Sequence, residues 1–78
     1  MEEECLEVAS ALTEALCDRR QELGISQRDL AERTGFSRSS IQAWESGATQ
    51  PGFLSLLMWV SSLRCILDME LIYEEEEA

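Results

Sequence analysis

The sequence predicts a mostly α-helical protein, with four helices followed by one C-terminal β-strand. Three observations lead to this fold class. Apolar residues recur at helical spacing over most of the chain, and a glycine follows each of the first three helical segments. One proline and four glycines among 78 residues leave little room for long loops. The last apolar stretch changes to a spacing of two, which is typical of a strand.

The first predicted helix covers residues 4–23 and ends at Gly24. One of its faces is apolar, which predicts that this face packs against the rest of the domain. The residues of that face are Leu6, Ala9, Leu12, Leu16 and Leu23.

Two shorter helices follow, each with a serine at its start and a glycine at its end. Ser26 opens the second helix, where its hydroxyl can accept a hydrogen bond from a free backbone N–H and Asp29 adds a negative charge to the first turn. Ser37 caps the third helix in the same way. We expect four side chains of these helices to face the core: Leu30 and Ala31 from the second, Ile41 and Trp44 from the third.

The fourth predicted helix, residues 52–63, is apolar over most of its surface. A domain of this size needs only part of that surface for its core, and we assign Phe53, Leu56, Leu57, Val60 and Leu63 to it. Leu54 and Met58 are one turn apart and are expected to lie on the outer side, where a second copy of the chain would bury them.

Residues 65–73 alternate between apolar and polar positions and are predicted to form a strand. A single strand cannot satisfy its own backbone donors and acceptors, and no other segment has the pattern of a partner strand. The simplest solution is an antiparallel pair formed with the same strand of a second copy. The predicted dimer interface therefore contains Leu54, Met58, Leu67, Met69, Leu71 and Tyr73.

The charge of the chain is distributed unevenly. The formal net charge is -10, but the six arginines all lie between Arg19 and Arg64, where only four acidic residues occur. This central region is mildly basic and both flanks are acidic. The whole chain, residues 1–78, is expected to form one domain that ends in an acidic tail, residues 74–78. Such a tail is either a solvated extension or a segment that lies across the protein's own basic face.

Composition excludes several classes of function. The chain has no histidine, and its three cysteines form no CxxC pair. We therefore expect no metal, no cofactor and no enzymatic activity, and we expect Cys5, Cys17 and Cys65 to be reduced and packed in the interior. No run of 18 apolar residues occurs and the start, MEEEC, lacks the basic residues of a signal peptide. This predicts a cytoplasmic protein with no membrane partner.

Residues 23–51 carry a family resemblance. QRDLAERTG, then SRSSIQAWESG, then Pro51 closely resemble the helix-turn-helix domains of phage repressor, Cro and Xre-like proteins. The motif occupies residues 26–46, and the resemblance extends over about residues 10–64. The resemblance implies a repressor-like fold, in which Ala31 allows the two motif helices to approach closely and Gly35 permits the turn between them. It also implies that the protein acts in a bacterial or phage-infected host cell.

The resemblance also implies the roles of individual residues. The third helix would enter the major groove of DNA. The residues expected to contact bases are Arg38, Ser39, Gln42 and Ala43. Those expected to contact phosphates are Gln27, Arg28, Ser37 and Ser40, although Arg28 is almost equally well explained as a solvated surface arginine. Arg20 and Glu45 occupy the positions of an ion pair that ties the first helix to the third.

The chain also departs from the family pattern. The loop Gly47-Ala48-Thr49-Gln50 is uncharged where many relatives carry Lys or Arg, which predicts fewer phosphate contacts. Arg64 stands where a glycine often ends the fourth helix. The apolar strand that follows is similar to the terminal strands through which the antitoxin branch of the family dimerises.

Two functions follow from these observations. The first is a dimeric, sequence-specific regulator of transcription, of phage, prophage or antitoxin type, that binds double-stranded DNA at an inverted repeat. The second is a protein-interaction module that keeps the repressor-like fold and binds DNA weakly or not at all, with a toxin or another protein as its partner. The acidity of the chain, the uncharged loop and the exposed apolar positions favour the second.

Overall fold

A computed structural model describes residues 1–75 and confirms the prediction of four helices. The helices are α1 (Glu2–Glu22), α2 (Gln27–Thr34), α3 (Arg38–Ser46) and α4 (Phe53–Ser62). Each lies within two residues of its predicted bounds. None of the helices in this part of the chain combines the length and the apolarity needed to cross a bilayer.

The start of α2 is fixed by a reciprocal pair of hydrogen bonds. The backbone N–H of Asp29 donates to Ser26 Oγ at 3.0 Å, and the Ser26 N–H donates to Asp29 Oδ2 at 3.2 Å. The two bonds satisfy donors that the first turn of a helix otherwise leaves free. At the other end Gly35 has φ 80°, a left-handed conformation that glycine adopts without steric cost.

The core lies where α2 packs against both α3 and α4, with α1 packed on α3. Leu30 of α2 and Ile41 of α3 are completely buried, as the sequence predicts. Phe36, Trp44 and Trp59 form a row of aromatic rings, with centroids 5.1 Å apart for the first pair and 6.0 Å apart for the second. The buried apolar residues are Leu16, Ile25, Leu30, Ile41, Trp59, Val60 and Leu63.

The predicted core face of α4 is partly wrong. Phe53 is 63% exposed and Leu57 is 36% exposed, whereas Trp59 is completely buried. The buried stripe instead follows the helical spacing of Leu56, Trp59, Val60 and Leu63. Phe53 would continue that stripe, but it is the first residue of α4 and lies beyond the edge of the core. Because seven of the ten residues of this helix are apolar, hydrophobicity alone does not identify the buried side.

The first half of α1 extends away from the domain. Every residue from 1 to 8 is exposed, including Leu6, which was predicted to face the core, and Cys5, which was predicted to be packed. A 21-residue helix is longer than the body formed by three helices of 8 to 10 residues, so no other residue of the described part of the chain covers its start. The radius of gyration is accordingly 14.3 Å, against about 11.5 Å for a compact domain of this length. Cys17 and Cys65 are half-buried.

After α4 the chain turns at Arg64, which has φ 56°. Cys65 and Leu67 then pack against the core, while Ile66, Met69, Leu71 and Tyr73 are exposed. No strand is formed within residues 1–75, so the predicted strand 65–73 is unconfirmed. A β-ladder needs a second strand, and a single chain has none to offer. Leu67, assigned to the dimer interface, already contacts its own core. Of the predicted acidic tail, residues 76–78 lie outside the described part of the chain.

Candidate nucleic-acid interface

A short turn of three residues holds α2 and α3 at a fixed angle. Thr34 stiffens it, because its Oγ1 donates to the carbonyl oxygen of Leu30 at 2.8 Å and accepts from the Phe36 N–H at 3.2 Å. Buried contacts of Leu30 and Ile41 complete the junction. Sequence reasoning missed Thr34, although a threonine just before a helix-ending glycine is well placed to bond the last carbonyls.

The exposed face of α3 carries the residues predicted to contact bases. Arg38, Ser39 and Gln42 are exposed, and Ala43 is half-buried. Arg38 and Ser39 lie in the first turn and Gln42 lies one turn further, so the three side chains share the N-terminal end of one helix face. Within residues 1–75, Arg38 forms no salt bridge and Gln42 no side-chain hydrogen bond. Both polar groups are available to a ligand.

The serines at the start of α3 are largely engaged with one another. Ser37 caps the helix by accepting from the Ser40 N–H at 3.1 Å. The Ser37 hydroxyl also donates to Ser40 Oγ at 2.8 Å, and it lies 3.3 Å from Ser39 Oγ. The proton of the Ser40 hydroxyl is therefore the one that remains free for a phosphate, while Ser37 would have to give up an existing bond.

Glu45, on the last turn of α3, joins three helices. Its carboxylate accepts from Arg20 Nε at 2.8 Å and from Arg20 Nη2 at 2.9 Å. The amide of Gln27 on α2 donates to it at 3.1 Å, and the thiol of Cys17 on α1 donates at 3.2 Å. Arg20 also donates to the carbonyl oxygen of Ile25 at 2.7 Å. The predicted ion pair is present, and it is the centre of a larger buried network.

The pKa values of this network follow from burial and hydrogen bonding. Burial by itself raises the pKa of Glu45, but the hydrogen bonds from Arg20, Gln27 and Cys17 outweigh it, so the pKa lies below its ordinary value. Burial, together with the bond to Glu45, raises the pKa of the Cys17 thiol. The thiol therefore stays protonated and acts as a hydrogen-bond donor. Its role was missed, although Cys17 lies one helical turn before Arg20 on α1.

Two of the predicted phosphate contacts are modified by their surroundings. Gln27 is half-buried and one of its amide N–H groups is held by Glu45, so one N–H and the carbonyl oxygen remain for DNA. The Arg28 side chain is 79% exposed, and its Nε lies 3.8 Å from Glu32 Oε1. A phosphate can displace Glu32 from so long and exposed an ion pair.

The other arginines are placed away from the start of α3. Arg20 is committed to Glu45, and Arg19 donates to the carbonyl oxygen of Leu63. Arg33 and Arg64 line a shallow pocket with Leu23 and Ile25. Within residues 1–75, Arg28 and Arg38 are therefore the arginines in the first turns of α2 and α3.

Comparison with known protein families connects this arrangement to one of them. A family model described as Helix-turn-helix matches residues 18–65, which is more than half of the chain. The matched segment contains the whole of α2, α3 and α4 together with the Arg20–Glu45 pair. Comparison with curated proteins and with solved structures found no match.

Proposed function

Because the chain belongs to this helix-turn-helix family, the Xre/Cro-like family of DNA-binding regulators, we propose that it is a sequence-specific, repressor-like regulator that binds an inverted repeat as a homodimer. The observation that carries the proposal is the exposed face of α3. Arg38 and Gln42 are solvent-exposed there, while Ile41 and Glu45 of the same helix anchor it to the rest of the domain. A helix held this firmly with free polar groups is suited to reading a groove.

In the proposed complex, the start of α3 enters the major groove. Arg38 pairs with O6 and N7 of a guanine, and Gln42 pairs with N6 and N7 of an adenine. Ser39 hydrogen-bonds a base edge, and the Ala43 methyl group contacts a thymine methyl. Each bidentate pair contributes about 1–3 kcal/mol of discrimination against a wrong base.

Phosphate contacts position the domain on the duplex. Arg28, the free amide N–H of Gln27 and the Ser40 hydroxyl are the principal donors, with Ser37 as a secondary one. Since the loop after α3 carries no charge, this grip is weak for a single domain. Two copies on two half-sites compensate for it.

The dimer is proposed to form through the outer side of α4 and the segment after it. Leu54 is 70% exposed and Met58 is 41% exposed in the single chain. Met69, Leu71 and Tyr73 are exposed as well, and pairing residues 65–73 with a second copy would satisfy their backbone and bury their side chains. The two α3 helices would then contact half-sites that lie about one turn of the DNA duplex apart. A dimer bound to such a repeat within a promoter would block access to it.

Selection of bound sites from random DNA tests this function. We expect a palindromic motif for the natural sequence, and loss of preference at one base position in each half-site for Arg38→Ala and for Gln42→Ala. Gln21→Ala, an exposed glutamine on α1, is the matched control and should leave the motif unchanged. Retention of the full motif by both α3 variants contradicts the assignment of these residues.

A protein-interaction module is the second candidate function. It is favoured by the position of the charges, since only Arg28 and Arg38 lie near the start of the motif helices in a chain of net charge -10. The partner would be a toxin or another protein that covers the apolar side chains of α4. The same selection separates the two functions, because no enriched sequence at low salt supports the module.

A further inference from the structure

Two arginines form a basic patch on the side of the domain where α2 and α4 end. Arg33 and Arg64 line one shallow pocket with Leu23 and Ile25, and Arg33 also lines a neighbouring pocket with Met58. Within residues 1–75, neither arginine lies within 4.0 Å of a carboxylate. We call Arg33 and Arg64 the basic patch. Two like charges placed together in this way favour an anionic neighbour.

The segment that begins beside this patch has the complementary composition. Residues 66–75, which we call the arm, contain Asp68, Glu70, Glu74 and Glu75 among apolar residues and carry no basic residue. Leu67 packs against the core of its own domain, but Ile66 is 95% exposed and Tyr73 is 88% exposed, so most of the arm does not cover that domain. Within residues 1–75, neither the acidic end of the arm nor the basic patch forms an ion pair.

We propose that Glu74 and Glu75 of one copy bind the basic patch of the other copy, and that this contact sets the register of the dimer. The inference rests on the homodimer of the proposed function. An antiparallel pair of residues 65–73 is centred on Met69, which places Tyr73 opposite the partner's Cys65. The next residue, Glu74, then follows the end of the paired segment and lies beside the partner's Arg64, which is in the turn after α4, and Glu75 extends toward the partner's Arg33.

The alternation of apolar and polar residues along 65–73 also allows a second register. Centring the pair on Leu67 would place Glu70 opposite the partner's Arg64. Leu67, however, is half-buried against the core of its own domain and is not free to lie on the twofold axis. The Met69 register leaves Asp68 opposite the partner's Glu70, which is an unfavourable pair of like charges. Contacts of Glu74 and Glu75 with the basic patch offset that repulsion.

The charge of the whole chain makes this inference sharply testable. Two copies of net charge -10 repel each other, so removing acidic residues anywhere should strengthen the dimer by a general effect. The proposal requires the opposite effect at the arm, where removing acidic residues should weaken the dimer. We expect E74R/E75R to weaken dimerisation at least about tenfold in Kd, measured by analytical ultracentrifugation at low salt. E2R/E3R, the same change at the exposed start of α1, is the control and should leave Kd unchanged or lower it.

A mixing experiment completes the test. R33E/R64E should also weaken the dimer, and an equimolar mixture with E74R/E75R should restore it as a heterodimer, because each patch then meets an arm of opposite charge. Circular dichroism of each variant checks that the helices are retained. R33E/R64E/E74R/E75R, which reverses both charges in one chain, should dimerise with itself, and a fourfold variant that keeps its helices but stays monomeric would overturn the contact between copies.

The remaining outcomes are distinguishable from failure of the proposed function. If E74R/E75R dimerises as tightly as the natural chain, the proposed contact between arm and basic patch is wrong, while the proposed homodimer is retained. If E70R, and not E74R/E75R, is the variant that R64E rescues, the register is centred on Leu67 and the inference is wrong. If the natural chain is monomeric at micromolar concentration, the homodimer itself fails and the inference fails with it.

Discussion

At the scale of single residues, Glu45 shows how one buried carboxylate can orient α3, the helix proposed to read DNA. Its side chain is 6% exposed and its partner Arg20 is 11% exposed, so the pair is largely removed from water. Such a pair owes little of its value to simple attraction, because desolvation opposes it. Its value is geometric: four donors from α1 and α2 meet at one point on α3 and leave that helix a single orientation.

Removing the carboxylate should therefore destabilise the fold strongly. Glu45→Ala leaves Arg20 buried without a counterion, and we expect the free energy of unfolding to fall by about 3–5 kcal/mol. Urea unfolding measures the change. Glu32→Ala, which removes the exposed partner of Arg28, is the control and should cost less than about 1 kcal/mol. Equal effects of the two substitutions would mean that the Glu45 network is not structural.

The lowered pKa of Glu45 also predicts a dependence on pH. A carboxyl group whose pKa is lower in the folded state stabilises the fold above the pKa of the unfolded chain and loses that contribution as pH falls through the folded pKa. The ordinary value is 4.5, so the loss begins below it. Glu45→Gln should remove this component, and its stability relative to the natural chain should improve as the pH is lowered. A constant difference between pH 3 and 7 would contradict this origin.

At the scale of the elements, local chemistry and tertiary packing were predictable to different degrees. Ser26, Ser37 and the glycines after α2 and α3 specify their helix ends by hydrogen bonds and backbone conformation that depend only on near neighbours, and these ends were predicted. The buried side of α4 was not predicted, because apolar residues lie on more than one side of that helix and the choice depends on where α2 lies. The prediction that Leu6 faces the core was wrong for a related reason. Helical periodicity identifies the apolar face of a helix, but it does not show how far along that face a neighbouring helix extends.

The uncovered start of α1 should contribute little to stability. Residues 1–8 are all exposed, and a free helical segment this short is marginal by itself. We expect deletion of residues 1–8 to change the free energy of unfolding by less than about 1 kcal/mol. Leu16→Ala, further along the same helix and 4% exposed, should cost about 2–5 kcal/mol. A large loss on deletion would show that the first turns of α1 are covered in solution.

At the scale of the whole molecule, the positions of most candidate site residues were predictable from the motif. Which of their polar groups are already hydrogen-bonded within the protein was not predictable. The positions of Arg38 and Gln42 follow from helical periodicity once α3 is identified. That Gln27 is shared with Glu45, and that Ser37 is bonded to Ser40, depends on contacts between helices that a linear pattern does not contain. The net result is a reading face with few cations.

This scarcity of cations predicts a shallow salt dependence for DNA binding. Each phosphate neutralised contributes about 0.9 to the slope of log K against log salt concentration. We expect a small slope for each half-site, which Arg28→Ala lowers by about one per domain without changing the sequence preference. Fluorescence anisotropy over a range of salt concentrations measures it. A slope unaffected by Arg28→Ala would place Arg28 in bulk solvent in the complex.

The outer face of α4 gives a separate prediction for assembly. Leu54 and Met58 contribute little to the monomer core, so L54S/M58S should weaken the dimer while leaving the unfolding of dilute monomer within about 1 kcal/mol of the natural value. Sedimentation and urea unfolding separate the two effects. Val8→Ser, at an exposed position of α1, is the control for a general change in surface polarity.

The tryptophans and the tyrosine lie in different parts of the molecule. Trp44 and Trp59 are the only tryptophans and lie together in the core, with Trp44 on α3, while Tyr73, the only tyrosine, lies on the exposed arm. Excitation of the indoles alone therefore reports the interior and the seating of α3. Tyr73 absorbs in the same range as the indoles, so the arm has no separate signal. Folding and the seating of α3 can be followed by indole fluorescence in one unlabelled sample.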